Sequence, residues 1–137
     1  MTANHFARIM RVEMHKEKEI QAGKILVEEN SPPDHFYILK RGSVGVYIGD
    51  TLIEVFNAKD SVVGEMSVIL NRSRTATVKA RSACTLLEYS AEHLMDIFRE
   101  EPEIAYMIMR SLASRVDKAN QRLSELSQQE RKAQLQD

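Results

Sequence analysis

The feature that most restricts how this sequence can fold is a change of pattern after Tyr89. From Met10 to Tyr89, short runs of β-branched and aromatic residues alternate with turn residues, at the roughly 8–12-residue spacing of small β-proteins. The main runs are Ile25–Val27, Phe36–Leu39, Val44–Ile48, Thr51–Phe56, Thr75–Ala80 and Cys84–Tyr89. This pattern predicts a β-sandwich or a barrel, and by itself it does not separate a jelly roll from other small barrels.

After Tyr89 the pattern becomes helical. Ser90 can cap a short helix over Ala91–Arg99, and Pro102 suits the first turn of a second helix. Neither glycine nor proline follows Pro102, so the second helix could extend to the end of the sequence. Apolar residues recur in it at heptad spacing: Ala105, Met109, Leu112, Val116, Ala119, Leu123 and Leu126. This heptad seam predicts a parallel dimer or docking to a partner helix.

Length and composition indicate one globular domain with two appended segments. We predict an N-terminal segment over 1–9, a β-domain with a short helix over 10–101, and a long helix over 102–137 that could form a coiled coil. The net charge of −1 gives no general attraction to nucleic acid or to an anionic membrane. No apolar run approaches the ~20 residues of a membrane span. A single cysteine excludes an intramolecular disulfide, and we predict a cytoplasmic protein.

The segment from Gly64 to Val78 contains the chemistry most relevant to function. Gly64 precedes a short apolar helical turn that contains Glu65, and Arg74 follows Glu65 by nine residues. The start of a helix offers unpaired backbone N–H groups and the positive end of a dipole, which suit a phosphate. Arg74 could add a full charge, and Glu65 could accept hydrogen bonds from a sugar hydroxyl. The segment could therefore bind a phosphate and a ribose together.

This segment resembles the phosphate-binding cassette of the cyclic nucleotide-binding domain family. The family pattern begins Gly-Glu-(Leu/Met)-(Ala/Ser) and ends Pro-Arg-(Ala/Thr/Ser)-Ala-(Thr/Ser). The matching residues are Gly64, Glu65, Met66, Ser67, Arg74, Thr75, Ala76 and Thr77, and Ser73 replaces the usual proline. The resemblance extends from about Ile20 to about Asn120. It implies an eight-stranded jelly-roll β-barrel with a short cassette helix, followed by a short and a long C-terminal helix.

The resemblance also implies roles for individual residues. Glu65 would accept from the ribose 2′-hydroxyl, and without ligand it would need water or a nearby cation, because an unpartnered buried carboxylate is costly. Arg74 would contact the phosphate oxygens. Thr75 is compatible with binding of cyclic GMP but does not require it. Asn120 on the long helix could contact the base, or could equally be a polar residue beside the heptad seam. The other predicted ligand-binding residues are Val63, Gly64, Met66, Ser67 and Ala76.

The function implied is that of a non-catalytic sensor. Its ligand would be cyclic AMP first and cyclic GMP second, and its C-terminal helices would relay occupancy to an effector protein. We predict a homodimer through the long helix, no nucleic-acid or membrane partner, and no cofactor beyond the nucleotide. The four histidines lack metal-ligand spacing, and no nucleophile–base arrangement is visible. The alternative is a ligand-independent dimerisation or protein-interaction scaffold on a relic of this fold.

Overall fold

The computed structural model describes residues 14–136, in which strands come first and helices follow. The strands are β1 (His15–Ile20), β2 (Ile25–Val27), β3 (His35–Arg41), β4 (Val44–Ile48), β5 (Thr51–Phe56), β6 (Ser61–Val63), β7 (Thr77–Ala80) and β8 (Cys84–Ser90). Helix α1 (Glu65–Leu70) lies between β6 and β7. A 3₁₀ turn (Ala91–His93), α2 (Leu94–Glu100) and α3 (Pro102–Leu135) follow β8. The predicted segment 1–9 lies outside the described residues.

The strands form two antiparallel four-stranded sheets. One sheet has the order β1-β8-β3-β6, and the other has the order β2-β7-β4-β5. This alternation of strands between two sheets is that of a jelly roll. The predicted jelly-roll β-barrel is confirmed in part: the strands form a sandwich and not a closed barrel, because no strand pairing within residues 14–136 joins the two sheets. Each sheet keeps its own edge strands, and the core is closed by the packing of one sheet on the other.

Two apolar clusters hold the domain together. The first lies between the sheets and contains Val27, Tyr37, Leu39, Val44, Val63, Val78, Ala80, Cys84 and Leu86. The second joins the outer face of the β3-containing sheet to the helices and contains Phe36, Ile38, Val62, Val68, Tyr89, Ile97, Ile104 and Ile108. Because neighbouring strand residues point to opposite faces, Phe36 and Ile38 belong to one cluster while Tyr37 and Leu39 belong to the other. The start of α3 is thereby attached to the domain.

The helical predictions are confirmed in part. Helix α3 has 34 residues and begins at Pro102, as predicted. Ser90 precedes a 3₁₀ turn and not α2 itself, and it makes no side-chain cap hydrogen bond there. Ile104 and Ile108 are buried, whereas Met109 and Leu123 of the heptad seam are 61% and 64% exposed in the single chain. Within residues 14–136, no helix is both long and apolar enough to cross a membrane.

Candidate functional site

A left-handed glycine begins the cassette. Gly64, directly before α1, has φ of +80°, a conformation that residues with a Cβ rarely adopt. A Cβ on Gly64 would also lie 3.0 Å from Nη1 of Arg74. Glycine therefore serves the turn and leaves room for the guanidinium group. A substitution at this position would displace Arg74 as well as strain the backbone.

Arg74 is buried although it carries a full charge. Its side chain donates to the backbone carbonyl oxygens of Gly64 and His35. Its own backbone is held by Ser31, whose carbonyl accepts from Arg74 N at 2.9 Å, and by Asn30, whose N–H donates to Arg74 O at 2.8 Å. Burial lowers the pKa of the guanidinium group, but an arginine remains charged in a protein. The loop between α1 and β7 thus presents a positioned cation.

Glu65, in the first turn of α1, is only 1% exposed. Neither of its carboxylate oxygens has a hydrogen-bond partner within residues 14–136. Arg115 of α3 lies close, with Nη1 3.1 Å from Oε1, which is an ion-pair distance without hydrogen-bond geometry. Burial raises the pKa of Glu65, and the charge of Arg115 opposes that rise. The buried carboxylate therefore keeps acceptor capacity for a donor group that enters the site.

Arg115 is a residue that the sequence analysis did not identify, although it supplies the cation expected beside Glu65. Its guanidinium carbon also lies 5.2 Å from the centre of the Phe56 ring, a cation–π contact. A signal was present in the sequence, because Arg115 follows Ile108 by seven residues and so continues the face of α3 that packs on the domain. The same spacing holds for Arg122, which follows Ile108 by fourteen residues, so the periodicity alone does not identify Arg115 as the arginine that reaches Glu65.

These groups line one cavity of about 200 Å³. Of the predicted ligand-binding residues, those in its lining are Val63, Gly64, Glu65, Met66, Ser67, Arg74, Thr75 and Ala76. The lining also includes Val27, Val46, Ile48, Ile53, Glu54, Phe56, Val78 and Arg115. The cavity therefore has a charged side near α1 and a largely apolar wall on β4 and β5. Such a mixture of apolar lining and few polar groups is typical of small-molecule sites.

Asn120 is the predicted residue that the structure does not bring to the cavity. It is exposed on α3 and is absent from the cavity lining. It lies five residues after Arg115, which places it about 7.5 Å further along the helix and about 140° around it. The face of α3 that carries Asn120 is therefore not the face that carries Arg115 into the cavity.

The fold is a jelly-roll domain with a helical extension, and its cavity is lined by residues of the cassette. Residues 17–101, more than half of the chain, match the model of the cyclic nucleotide-binding domain. The chain belongs to the cyclic nucleotide-binding domain family. Membership supports a regulatory role that depends on binding a cyclic nucleotide.

The similar proteins are longer than this chain. The chain is 27% identical over 111 residues to the cGMP-dependent 3′,5′-cGMP phosphodiesterase A of Dictyostelium discoideum, covering 78% of this chain and 12% of that protein. It is 29% identical over 75 residues to the cAMP-dependent protein kinase regulatory subunit of Blastocladiella emersonii, covering 51% of this chain and 18% of that protein. The chain thus spans less than a fifth of the length of either relative.

A solved structure shows the same fold. The catabolite activator protein of Thermus thermophilus superposes with a TM-score of 0.70 at 20% identity, covering 93% of this chain and 61% of that chain.

Proposed function

We propose that the chain binds a cyclic purine nucleotide, cyclic AMP or cyclic GMP, in the cavity beside α1. The observation that carries the proposal is that Arg74 and Glu65, both buried, meet in one cavity with opposite charges and complementary chemistry. The cyclic phosphate would lie near Arg74 and Ser67, and the ribose 2′-hydroxyl would donate to Glu65. Val63, Met66, Thr75 and Ala76 would complete the contacts around the ligand.

We further propose that α3 relays occupancy of the site. The contact that supports this is the Arg115–Glu65 pair, because it joins the long helix directly to the carboxylate that the ribose would contact. A bound ribose would give Glu65 a new hydrogen-bond donor. The ion pair between Glu65 and Arg115 would then change, and α3, which carries Arg115, would be affected. A signal results only when the ligand has different affinities for two arrangements of α3. Asn120 could contact the base only in an arrangement that differs from the described one.

The direct test is isothermal titration with cyclic AMP, cyclic GMP and linear 5′-AMP. We expect the cyclic nucleotides to bind, and we expect Arg74→Ala to weaken binding by about 2–5 kcal/mol, because it removes the cation opposite a buried phosphate. Arg72→Ala is the matched control, since Arg72 is an exposed arginine of the same loop and does not line the cavity. Equal affinity of the wild type and Arg74→Ala would contradict the assignment.

Arg74 also supports the backbone, so loss of binding could follow from loss of structure. Arg74→Lys keeps the charge while giving up the paired donation to the carbonyl oxygens of Gly64 and His35. Thermal denaturation of all variants shows which of them remain folded. A folded Arg74→Ala protein that no longer binds would locate the phosphate site at Arg74.

We also propose that the heptad seam of α3 forms a homodimer. Met109, Val116, Leu123 and Leu126 are exposed in the single chain, and a parallel second helix would cover them. Sedimentation equilibrium of the wild type and of a Val116→Glu, Leu123→Glu variant tests this, with a monomeric variant expected. An unchanged dimer would place the main interface elsewhere. An effector protein and a cytoplasmic location also remain predictions.

The scaffold alternative is not favoured. A scaffold that binds no ligand would have no function for Glu65 and Arg74. Both are buried, and the carboxylate oxygens of Glu65 lack hydrogen-bond partners within residues 14–136. Burial of such groups costs stability, so a protein that only presents α3 would gain by replacing them with apolar side chains.

A further inference from the structure

One acidic residue of the cavity wall has no role in the phosphate and ribose contacts. Glu54 of β5 pairs with Val46 of β4, and both line the cavity. The register then shifts, because Tyr47 pairs with Leu52, which leaves Ile53 as the extra residue of a β-bulge. Phe56 lies two residues after Glu54 and shares its face of the strand. The strand register therefore places Glu54 in the wall of the cavity.

The surroundings of Glu54 suit a purine base. Val46, Ile48, Ile53 and Phe56 line the same wall and can pack on the faces of a flat ring. Arg74 and Glu65 are assigned to the phosphate and the ribose, and Arg115 pairs with Glu65. Within the described β4–β5 wall, Glu54 is the lining residue whose side chain can hydrogen-bond to the edge of a base. Glu54 is itself exposed, so it stands at the mouth of the cavity.

We propose that Glu54 is a specificity-determining residue that selects guanine over adenine, an inference that rests on the proposed nucleotide binding. An ionised carboxylate only accepts hydrogen bonds. Guanine presents two adjacent donors on one edge, N1–H and the 2-amino group, and a carboxylate can accept both. Adenine presents one donor, the 6-amino group, beside the acceptor N1, which would face a carboxylate oxygen. The chain should therefore bind cyclic GMP more tightly than cyclic AMP. This is the reverse of the preference that the sequence resemblance suggested.

Two other roles for Glu54 make different predictions. An inward-pointing charge on an edge strand can prevent pairing with another sheet, and β5 is an edge strand. Glu54 could also act through the electrostatics of the site, since its charge raises the pKa of Glu65. In the first role, substitution leaves nucleotide affinity unchanged. In the second role, substitution changes the affinities for all cyclic nucleotides in parallel. Only a contact between Glu54 and the base predicts that substitution changes the order of the affinities for cyclic GMP and cyclic AMP.

The experiment is isothermal titration of the full chain with cyclic GMP, cyclic IMP and cyclic AMP. Cyclic IMP keeps N1–H but lacks the 2-amino group, so the wild type should bind it with intermediate affinity. Glu54→Gln is the informative variant, because an amide presents one acceptor and one donor and therefore matches adenine. We expect Glu54→Gln to lower the affinity for cyclic GMP by about tenfold and to leave the affinity for cyclic AMP unchanged or increased. A tenfold change is the discrimination typical of one paired contact to a base.

Asp50→Asn is the matched control, since it removes one negative charge from the same hairpin outside the cavity lining. The ratio of the affinities for cyclic GMP and cyclic AMP should be unchanged in this control. A wild type that prefers cyclic AMP, or a Glu54→Gln variant whose ratio equals that of the wild type, would overturn the selection of guanine while leaving nucleotide binding intact. A wild type that binds none of the three would remove the proposed function together with this inference.

Discussion

Within residues 14–136 two glutamates are buried, and they differ in how their charges are compensated. Glu88 on β8 is 6% exposed, yet Lys18 Nζ lies 3.2 Å from it, Lys16 Nζ 3.6 Å and His35 Nε2 3.8 Å. Burial alone would raise the pKa of Glu88, but the hydrogen bond from Lys18 and the charge of His35 lower it overall. Glu65 has Arg115 as its ion-pair partner, and burial raises its pKa.

The difference separates a structural carboxylate from a binding carboxylate. Glu88 pairs in register with Tyr37 of β3 and Lys16 of β1, so its partners join three strands of one sheet. Its acceptor capacity is used within the protein. The oxygens of Glu65 have no hydrogen-bond donor within residues 14–136, and they face a cavity. A buried polar group in that condition costs stability, which is common at functional sites.

The largest effect expected from this comparison is on nucleotide affinity. Glu65→Gln should weaken cyclic nucleotide binding by about 10- to 100-fold, because a hydrogen bond to a charged acceptor contributes about 1.5–3 kcal/mol. Glu88→Gln should leave the affinity unchanged, since Glu88 does not line the cavity. Isothermal titration of the two variants under one set of conditions measures both values. Equal losses in both variants would show that Glu65 acts through the fold and not through the ligand.

A smaller effect is expected in the pH dependence of stability. Glu65 has a folded-state pKa above the ordinary value of 4.5, so its contribution is fully present below that value and is lost as pH rises through the folded-state pKa. Glu88 has a lowered pKa, so its contribution is present above 4.5 and is lost as pH falls through the folded-state pKa. The two carboxylates therefore change the free energy of unfolding in opposite directions.

Urea denaturation of the wild type and of each Gln variant, from about pH 3 to about pH 7, measures these contributions. At neutral pH we expect Glu88→Gln to lower the free energy of unfolding by about 1–2 kcal/mol. The effect is this small because the lysine partners of Glu88 are exposed. The free energy of unfolding of Glu65→Gln, relative to that of the wild type, should increase as pH rises above 4.5. A Glu65→Gln variant that loses stability over that range would mean that Arg115 more than compensates the burial of the carboxylate.

Local sequence was sufficient where the signal was itself local. The turn residues and β-branched runs predicted several strands, and the absence of glycine and proline after Pro102 predicted α3. Strand β1 was not apparent, because its sequence His-Lys-Glu-Lys-Glu-Ile is mostly charged. It is a strand because residues 15–20 pair along their whole length with residues 84–89 of β8. A contact between residues so distant in sequence leaves little trace in local composition.

The sequence by itself determined the chemistry of the cassette, because Gly64, Glu65 and Arg74 lie within eleven residues and meet through one short helix and one loop. Tertiary structure alone decided which groups from elsewhere reach that cassette. Arg115 and not Asn120 approaches it, because the face of α3 that packs on the domain carries Arg115. Glu54 faces the cavity because a bulge at Ile53 sets the register of β5 on β4. Such placements depend on packing between distant segments, and residue identity alone does not encode them.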